Sequence, residues 1–147
     1  MTSGAELKDI VKQIYEARGE GDLDRLMSFF GDNCVFRVAG NRHLAQLTDP
    51  VVGSAALREA MRHFIDTWEM KDLKFVDVHI DGDVALVHRE GHMRHVSTDF
   101  DTEIMDKITF DNGKVIEVVE FLDTLQVAVL LKTATISAPQ QLSAGQQ

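Results

Sequence analysis

The sequence predicts an α+β fold in which N-terminal helices pack inside a curved antiparallel, in part mixed, sheet and leave a conical pocket. Two observations carry this prediction. Apolar residues recur at helical spacing in three N-terminal segments, and the pattern changes to that of strands from Asp72 onward. The four strand candidates that follow are joined by short turns and cover residues 73–80, 84–96, 102–110 and 114–122.

Capping signals define the first two helices. Ser3 and Glu6 have the spacing of a capping box, and the apolar pattern that follows ends at Gly19. Asp22 caps a second, short helix that closes at Gly31. The chain therefore opens with a helical hairpin.

Between this hairpin and the strands, the sequence predicts one strand, one loop and one helix. Residues 34–38 have strand-forming composition, and residues 39–53 are typical of a long loop. Ser54 caps a third helix whose apolar stripe reaches Trp68. After the last strand, residues 124–132 predict a short helix or a further strand.

Composition and charge predict one domain over residues 1–133 and a disordered tail over 134–147. The chain has 147 residues, of which 44% are hydrophobic, with 15 Lys and Arg against 24 Asp and Glu. The formal net charge of -9 opposes binding to nucleic acid and to anionic membranes, so we expect neither partner. A single cysteine, Cys34, favours a reducing compartment, and we predict a cytoplasmic protein.

Several segments resemble the SnoaL-like, ketosteroid-isomerase-related branch of the NTF2-like superfamily. They cover residues 21–26, 53–58, 106–117 and 120–124, and the likeness extends over about residues 7–125. The resemblance implies a cone-shaped fold and a homodimer. It leaves the activity open, because this fold is shared by isomerases, cyclases, hydrolases, dehydratases and non-enzymatic binders.

The candidate site is predicted on the inner face of the sheet. The resemblance implies that Asp106 and Glu120 face the pocket, and a tight turn after Phe110 would place them diagonally on one face. An even register in the preceding hairpin would bring the polar face of residues 88–94 beside them. We therefore predict Glu120, Asp106 and His92 as catalytic residues. The expected substrate contacts on the same strand are Glu90, His88 and Arg94.

Acid/base chemistry is the leading interpretation of this group. Carboxylates crowded into an apolar cavity raise each other's pKa, so that one can act as a base and the other as a protonated donor. We expect no cofactor, and we predict isomerase-like or cyclase-like proton transfer on a small hydrophobic or aromatic molecule. Further substrate contacts are expected from Trp68, Phe36, Val38, Tyr15 and, in the long loop, His43.

The resemblance matches ketosteroid isomerase only in part. Its base position falls on Val38 and its tyrosine position on Ile14, while one of its aspartates is retained as Asp106. Tyr15 would face about 100° away from Ile14 on the helix and is not expected to replace that tyrosine. Steroid isomerisation by that mechanism is therefore not predicted.

Limonene epoxide hydrolase is the second comparison that the resemblance implies. An Asp-Arg-Asp arrangement in that family positions water and protonates the epoxide. Glu120 matches one of its acidic positions, and Arg94 or Arg89 could supply a guanidinium from a shifted place. Epoxide hydrolysis stays open as an alternative.

Two further interpretations remain. The same polar residues could form a structural network in a non-catalytic ligand-binding or dimerisation module. His88, Glu90 and His92 could also ligate zinc or iron, but strand spacing separates alternate side chains by about 6.6 Å, and we expect no metal site. The outer sheet face is predicted to mediate a homodimer through Met93, Met105, Val119 and Phe121.

Overall fold

The computed structural model describes residues 1–137 and has the expected α+β architecture. Its helices are Gly4–Glu20 (α1), Leu23–Met27 (α2), Ala45–Thr48 (α3), Ser54–Thr67 (α4) and Thr124–Leu130 (α5), with a 3-10 turn at Arg42–Leu44. Its strands are Phe30–Val38 (β1), Val51–Val52 (β2), Trp68–Asp81 (β3), Val84–His95 (β4), Thr98–Asp111 (β5) and Lys114–Phe121 (β6).

The strands form one six-stranded mixed sheet that curves without closing. Its order is β2-β1-β6-β5-β4-β3, so the last four strands are the expected antiparallel meander. β1 joins the meander by parallel pairing with β6. The concave face of this sheet packs on α1 and α4, whose buried side chains include Leu7, Val11, Leu57 and Met61.

The predicted caps of the first two helices are confirmed. The Glu6 side chain accepts from the Ser3 backbone N–H at 2.6 Å, while the Ser3 hydroxyl accepts from the Glu6 N–H at 3.3 Å. Asp22 accepts from the Arg25 N–H at 3.0 Å and so begins α2. Since each cap satisfies an N–H that the helix leaves unpaired, these ends are set by local sequence.

Several element boundaries differ from the sequence prediction, because strand pairing extends beyond the local pattern. β1 begins at Phe30, which belongs to the predicted second helix, because it pairs with Val115 of β6. β3 and β5 begin earlier than predicted because both pair with the far end of β4 at His95. Gly53 rather than Ser54 is the N-cap of α4, and its positive φ of 89° suits a glycine.

Two predictions concern the chain end and membranes. The predicted disordered tail lies outside the described residues from position 138 onward, and residues 134–137 have no regular secondary structure. Within residues 1–137, no helix is long and apolar enough to cross a membrane.

The outer sheet face differs from the prediction in two of its four apolar members. Met93 points inward and lines the cavity, and Val119 is only 4% exposed. Met105 and Phe121 are direct cross-strand partners and remain exposed. A homodimer through this face stays a prediction.

Gly91 lies so close to the backbone of the neighbouring strand β3 that a side chain does not fit at this position. Its φ is +144°, and a Cβ at this position would lie 2.2 Å from the Asp72 carbonyl oxygen, where the β3–β4 register shifts. We expect Gly91→Ala to lower the free energy of unfolding by about 2–3 kcal/mol, because both backbone strain and a clash with main-chain atoms must be relieved. Urea unfolding monitored by circular dichroism measures the change.

Gly82→Ala is the matched control for this substitution. Gly82 also has a positive φ, +57°, but a Cβ there would meet no atom within 4 Å. Gly82→Ala should therefore lower the free energy of unfolding only through backbone strain, by about 1 kcal/mol. Equal losses in the two variants would contradict the role assigned to the Asp72 contact.

Candidate active site

A cavity of about 120 Å³ lies between α1, α4 and the concave face of the sheet. Its wall is mostly apolar and is formed by Ile14, Leu26, Phe30, Phe36, Val38, Leu47, Met61, Phe64, Trp68, Met70, Met93, Phe100, Ile104, Ile108, Val115, Val118, Leu122 and Val127. The polar lining residues are Tyr15, Arg18, Arg89, Thr102, Asp106 and Glu120. An apolar cavity with a few convergent polar groups is the usual form of a small-molecule site.

Strand register brings the charged groups together. Asp106 of β5 and Glu120 of β6 are direct cross-strand partners, so their side chains rise from the same face of the sheet. Arg89 of β4 pairs with Ile104, two residues from Asp106, and therefore lies diagonally beside that aspartate. Three adjacent strands thus contribute one charged side chain each.

The centre of the group is a buried ion pair. Arg89 Nη2 lies 2.9 Å from Asp106 Oδ2 and 3.9 Å from Glu120 Oε1, and the side chains of Arg89 and Asp106 are each 4% exposed. The Tyr15 hydroxyl donates to the same Asp106 Oδ2. The Arg89 guanidinium also stacks 4.0 Å from the centre of the Tyr15 ring.

The two carboxyl groups differ in protonation. Burial and the negative charge of Asp106 together raise the pKa of Glu120 to about 8, against the opposing effect of Arg89 and Arg18. Burial also raises the pKa of Asp106, but the Arg89 charge and the Tyr15 hydrogen bond act against this. Asp106 therefore ionises first, and Glu120 holds a proton at neutral pH.

Tyr15 remains a neutral hydrogen-bond donor in this setting. Burial and the negative charge of Asp106 raise its pKa well above the usual range, and Arg89 offsets this only in part. Two buried polar atoms of the group, Asp106 Oδ1 and Arg89 Nε, have no hydrogen-bond partner within residues 1–137. The site thus presents an unpaired acceptor beside the protonated Glu120, which suits the transfer of a proton to and from a ligand.

Arg18 adds a second guanidinium to the cavity wall. It follows Ile14 by one helical turn of α1 and lies on the same side of the helix. Its Nη2 donates to the carbonyl oxygens of Phe64 and Trp68, at 3.0 Å each, where α4 ends. Burial lowers the pKa of Arg18 to about 10, which leaves the group charged at neutral pH.

Six of the residues predicted from sequence line the cavity together: Glu120, Asp106, Tyr15, Trp68, Phe36 and Val38. Tyr15 is expected to face away from Ile14 on the helix, yet it lines the cavity beside it, and that it does not take the role of the isomerase tyrosine stays a prediction. Both residues line the cavity, because the inward stripe of α1 is wide enough to include two adjacent positions.

Four residues of β4 lie on the opposite face of the sheet from the cavity, contrary to the prediction. His88 bonds Glu103 at 2.7 Å, His92 bonds Asp101 at 3.1 Å, and Arg94 bonds Asp99 at 2.8 Å, all outside the cavity. Glu90 is exposed and pairs with Glu103 in the β4–β5 ladder.

The physical reason is the register of the β4–β5 hairpin, in which Asp106 pairs with Val87. Odd-numbered residues of β4 therefore share the face of Asp106, and the even-numbered set 88–94 points away. Asp106 and Glu120 are direct partners rather than diagonal ones, because Asp111 rather than Phe110 pairs with Lys114 and a bulge between Thr109 and Phe110 shifts the pairing by one more residue.

His43 also lies away from the cavity, in an exposed turn of the 39–53 segment. Leu47 of α3 lines the cavity from that segment instead. Within residues 1–137, no group of three or more metal-ligating side chains comes together.

Sequence reasoning named Arg89 only as a substitute guanidinium and did not identify Arg18. A signal for Arg89 exists, because Ala85, Val87 and Met93 occupy the same strand phase and are buried. Arg18 follows the stripe of Val11 and Ile14, which indicates an inward position. In both cases the charge of the side chain suggests an exposed position, although the neighbouring residues on the same face are apolar.

Aromatic side chains surround one end of the cavity. The Trp68 ring lies 4.1 Å from the His95 ring and 6.2 Å from the Phe100 ring, measured between centroids. Phe36 and Phe64 form a further pair at 6.1 Å. The flat faces of these rings favour a planar ligand.

Comparisons with solved structures give the fold. The chain is similar to an NTF2-like protein of unknown function from Burkholderia pseudomallei, at 16% identity, TM-score 0.74, with 84% of this chain and 95% of that chain covered. It is also similar to an LEH-like epoxide hydrolase from M. tuberculosis (15%, TM-score 0.69, 87% and 97% covered). A third is TerC co-crystallised with polyporic acid (15%, TM-score 0.73, 86% and 98% covered).

At these identities the similarity establishes the fold alone. Among curated protein sequences, none matches the chain. The model of the SnoaL-like domain matches residues 11–118, which include Tyr15, Arg18, Arg89 and Asp106. The chain therefore belongs to the SnoaL-like domain family.

Proposed function

We propose that this chain is a cofactor-independent enzyme that transfers protons, as isomerases and cyclases do, on a small hydrophobic or aromatic substrate. One observation carries the proposal. A protonated Glu120 and an ionised Asp106 flank the same Arg89 nitrogen, at 3.9 Å and 2.9 Å, at the polar end of an apolar cavity. Two carboxyl groups held in different protonation states supply an acid and a base at one pH.

The roles follow from the hydrogen bonds. Asp106 Oδ2 is occupied by Tyr15 and Arg89, so the unpaired Oδ1 is the atom that takes a proton from a substrate carbon. Glu120 gives its proton to the adjacent carbonyl oxygen, which yields an enol. Asp106 then returns its proton to a different carbon while Glu120 recovers its own, so that the enzyme ends as it began.

Arg89 and Tyr15 are positioning residues in this scheme. They hold Asp106 through one oxygen and stabilise its charge in a buried place. The apolar wall keeps water away from the transferred proton and accepts the ring of the substrate.

Epoxide hydrolysis is the second candidate, favoured by the position of Arg89 between two carboxyl groups and by the similarity to an LEH-like epoxide hydrolase. In this reaction Asp106 would take a proton from a water molecule while the oxygen of that water attacks an epoxide carbon. Glu120 would protonate the epoxide oxygen as the ring opens to a diol. Proton return from Asp106 to Glu120 would complete the cycle.

Hydrogen–deuterium exchange at carbon tests the first candidate. Small aromatic and cyclic ketones are incubated in D2O, and deuterium next to the carbonyl is followed by NMR. We expect Glu120→Gln to slow exchange by a factor of about 10²–10⁴, the usual contribution of a positioned acid. Glu117→Gln is the matched control, since Glu117 lies on the same strand outside the cavity lining and should keep the wild-type rate.

Equal exchange by wild type and Glu120→Gln would contradict proton transfer through Glu120. The epoxide candidate is separated by styrene oxide in ¹⁸O-labelled water. Diol formation that requires both Asp106 and Glu120, without carbon exchange on the ketones, would replace the first candidate by the second.

The pH dependence of stability separates the catalytic proposal from a structural network. Folded Glu120 keeps a proton that the unfolded chain loses above its ordinary pKa of 4.5, so rising pH favours unfolding until the folded pKa of about 8. Across this window the free energy of unfolding of the wild type should fall by up to about 1.4 kcal/mol per pH unit relative to that of Glu120→Gln. Urea unfolding at several pH values checks the difference.

Glu120→Gln should accordingly be as stable as the wild type at low pH and more stable at high pH. A variant that is much less stable at every pH would indicate that Glu120 serves the fold, and the non-catalytic interpretation would then stand.

A further inference from the structure

The cavity carries an excess of positive charge at neutral pH. Its titratable lining side chains are Tyr15, Arg18, Arg89, Asp106 and Glu120. The two guanidinium groups are positive, Asp106 is negative, and Tyr15 and Glu120 are protonated. One positive charge is therefore left over inside an apolar wall, where it is poorly screened and attracts an anion.

Arg18 is the better placed of the two guanidinium groups to bind such an anion. Arg89 is engaged with Asp106 at 2.9 Å, whereas the hydrogen bonds of Arg18 within residues 1–137 go only to the neutral carbonyl groups of Phe64 and Trp68, through Nη2. The Nε and Nη1 atoms of Arg18 donate to no other residue within 1–137. Because the side chain lines the cavity, these N–H groups are available to a ligand.

The size and lining of the cavity restrict the rest of the ligand. A cavity of about 120 Å³ is close to the ~150 Å³ that accommodates benzene in an apolar protein interior. Trp68, Phe64 and Phe100 supply aromatic faces along the wall. One aromatic ring is therefore the unit that this wall suits best.

We propose that the site binds a single-ring aromatic molecule through an anionic oxygen, either a carboxylate or an ionised hydroxyl, and that Arg18 is the positioning residue for that oxygen. This inference rests on the proposed function and names its substrate class. Bound in this way, the ring lies against the aromatic wall with its reactive atoms near Asp106 and Glu120.

Calorimetry with two matched probes tests the proposal. Benzoate and benzamide have nearly the same shape and differ in charge. We expect the wild type to bind benzoate at least about tenfold more tightly than benzamide, and Arg18→Gln to lose most of this preference while keeping its benzamide affinity. Arg18→Lys, which keeps the charge, should restore a large part of it.

Arg62→Gln is the matched control, because it removes the same charge from an exposed arginine of α4 outside the cavity. It should keep the full preference for benzoate. An equal loss in Arg62→Gln and Arg18→Gln would assign the effect to overall charge and overturn the proposal.

A measurement on the wild type covers the case in which Arg18→Gln fails to fold, since Arg18 also joins α1 to α4. Ionisation of Glu120 above about pH 8 brings the charge of the cavity to zero. The preference for benzoate should then fall with rising pH in the wild type and stay constant in Glu120→Gln. A preference that does not change with pH in the wild type would overturn the proposal.

4-Nitrophenol separates the two sources of the anionic oxygen, because its absorption spectrum reports its ionisation. An increase in the phenolate fraction on binding, lost in Arg18→Gln, assigns an ionised hydroxyl. Tight benzoate binding without that increase assigns a carboxylate.

If neither anion binds better than benzamide, the inference fails while proton transfer by Glu120 can still stand. If Glu120→Gln keeps full exchange activity and the benzoate preference persists, the proposed function fails alone.

Discussion

The buried contact between Arg89 and Asp106 is the interaction on which the candidate site depends. Each side chain is 4% exposed, and an unpaired charge at this depth would cost several kcal/mol. The pair joins the side chains of β4 and β5 across the inner face of the sheet, and the Tyr15 hydroxyl of α1 donates to the same Asp106 oxygen. The ionised state of Asp106, which helps to raise the pKa of Glu120, follows from this contact.

The fold could be predicted from the sequence to a large extent because its determinants are local. Ser3 with Glu6, and Asp22, mark helix starts through hydrogen bonds to nearby N–H groups. The period of the apolar residues separates helices from strands. What local sequence does not contain is the partner of each strand, so the early start of β1 at Phe30 and its parallel pairing with β6 appear only in the structure.

The candidate site can be predicted from the sequence only in part, and most of the errors concern the side chains of β4. Asp106 and Glu120 line the cavity as predicted, whereas the polar side chains His88, Glu90, His92 and Arg94 do not, because the apolar phase of Ala85, Val87 and Met93 marks the inner face of β4 and Arg89 interrupts it. The register of the β4–β5 hairpin determines which side chains of β4 face the cavity. Arg89 points inward and His92 points outward. The sequence does not predict Arg18 as a cavity residue, because a charged side chain is generally expected at the protein surface.

The origin of the polar groups in four separate elements has a consequence for folding. Tyr15 meets Asp106 across 91 residues of chain, and Arg89 meets it across 17. The contact of Tyr15 with Asp106 requires a long stretch of chain to be closed into a loop, which costs conformational entropy before the contact forms. A sheet without α1 would leave the buried Asp106 without one of its two side-chain hydrogen-bond partners. Formation of this polar group and completion of the native state are therefore coupled, because a sheet paired in another register would bury these charges without their partners.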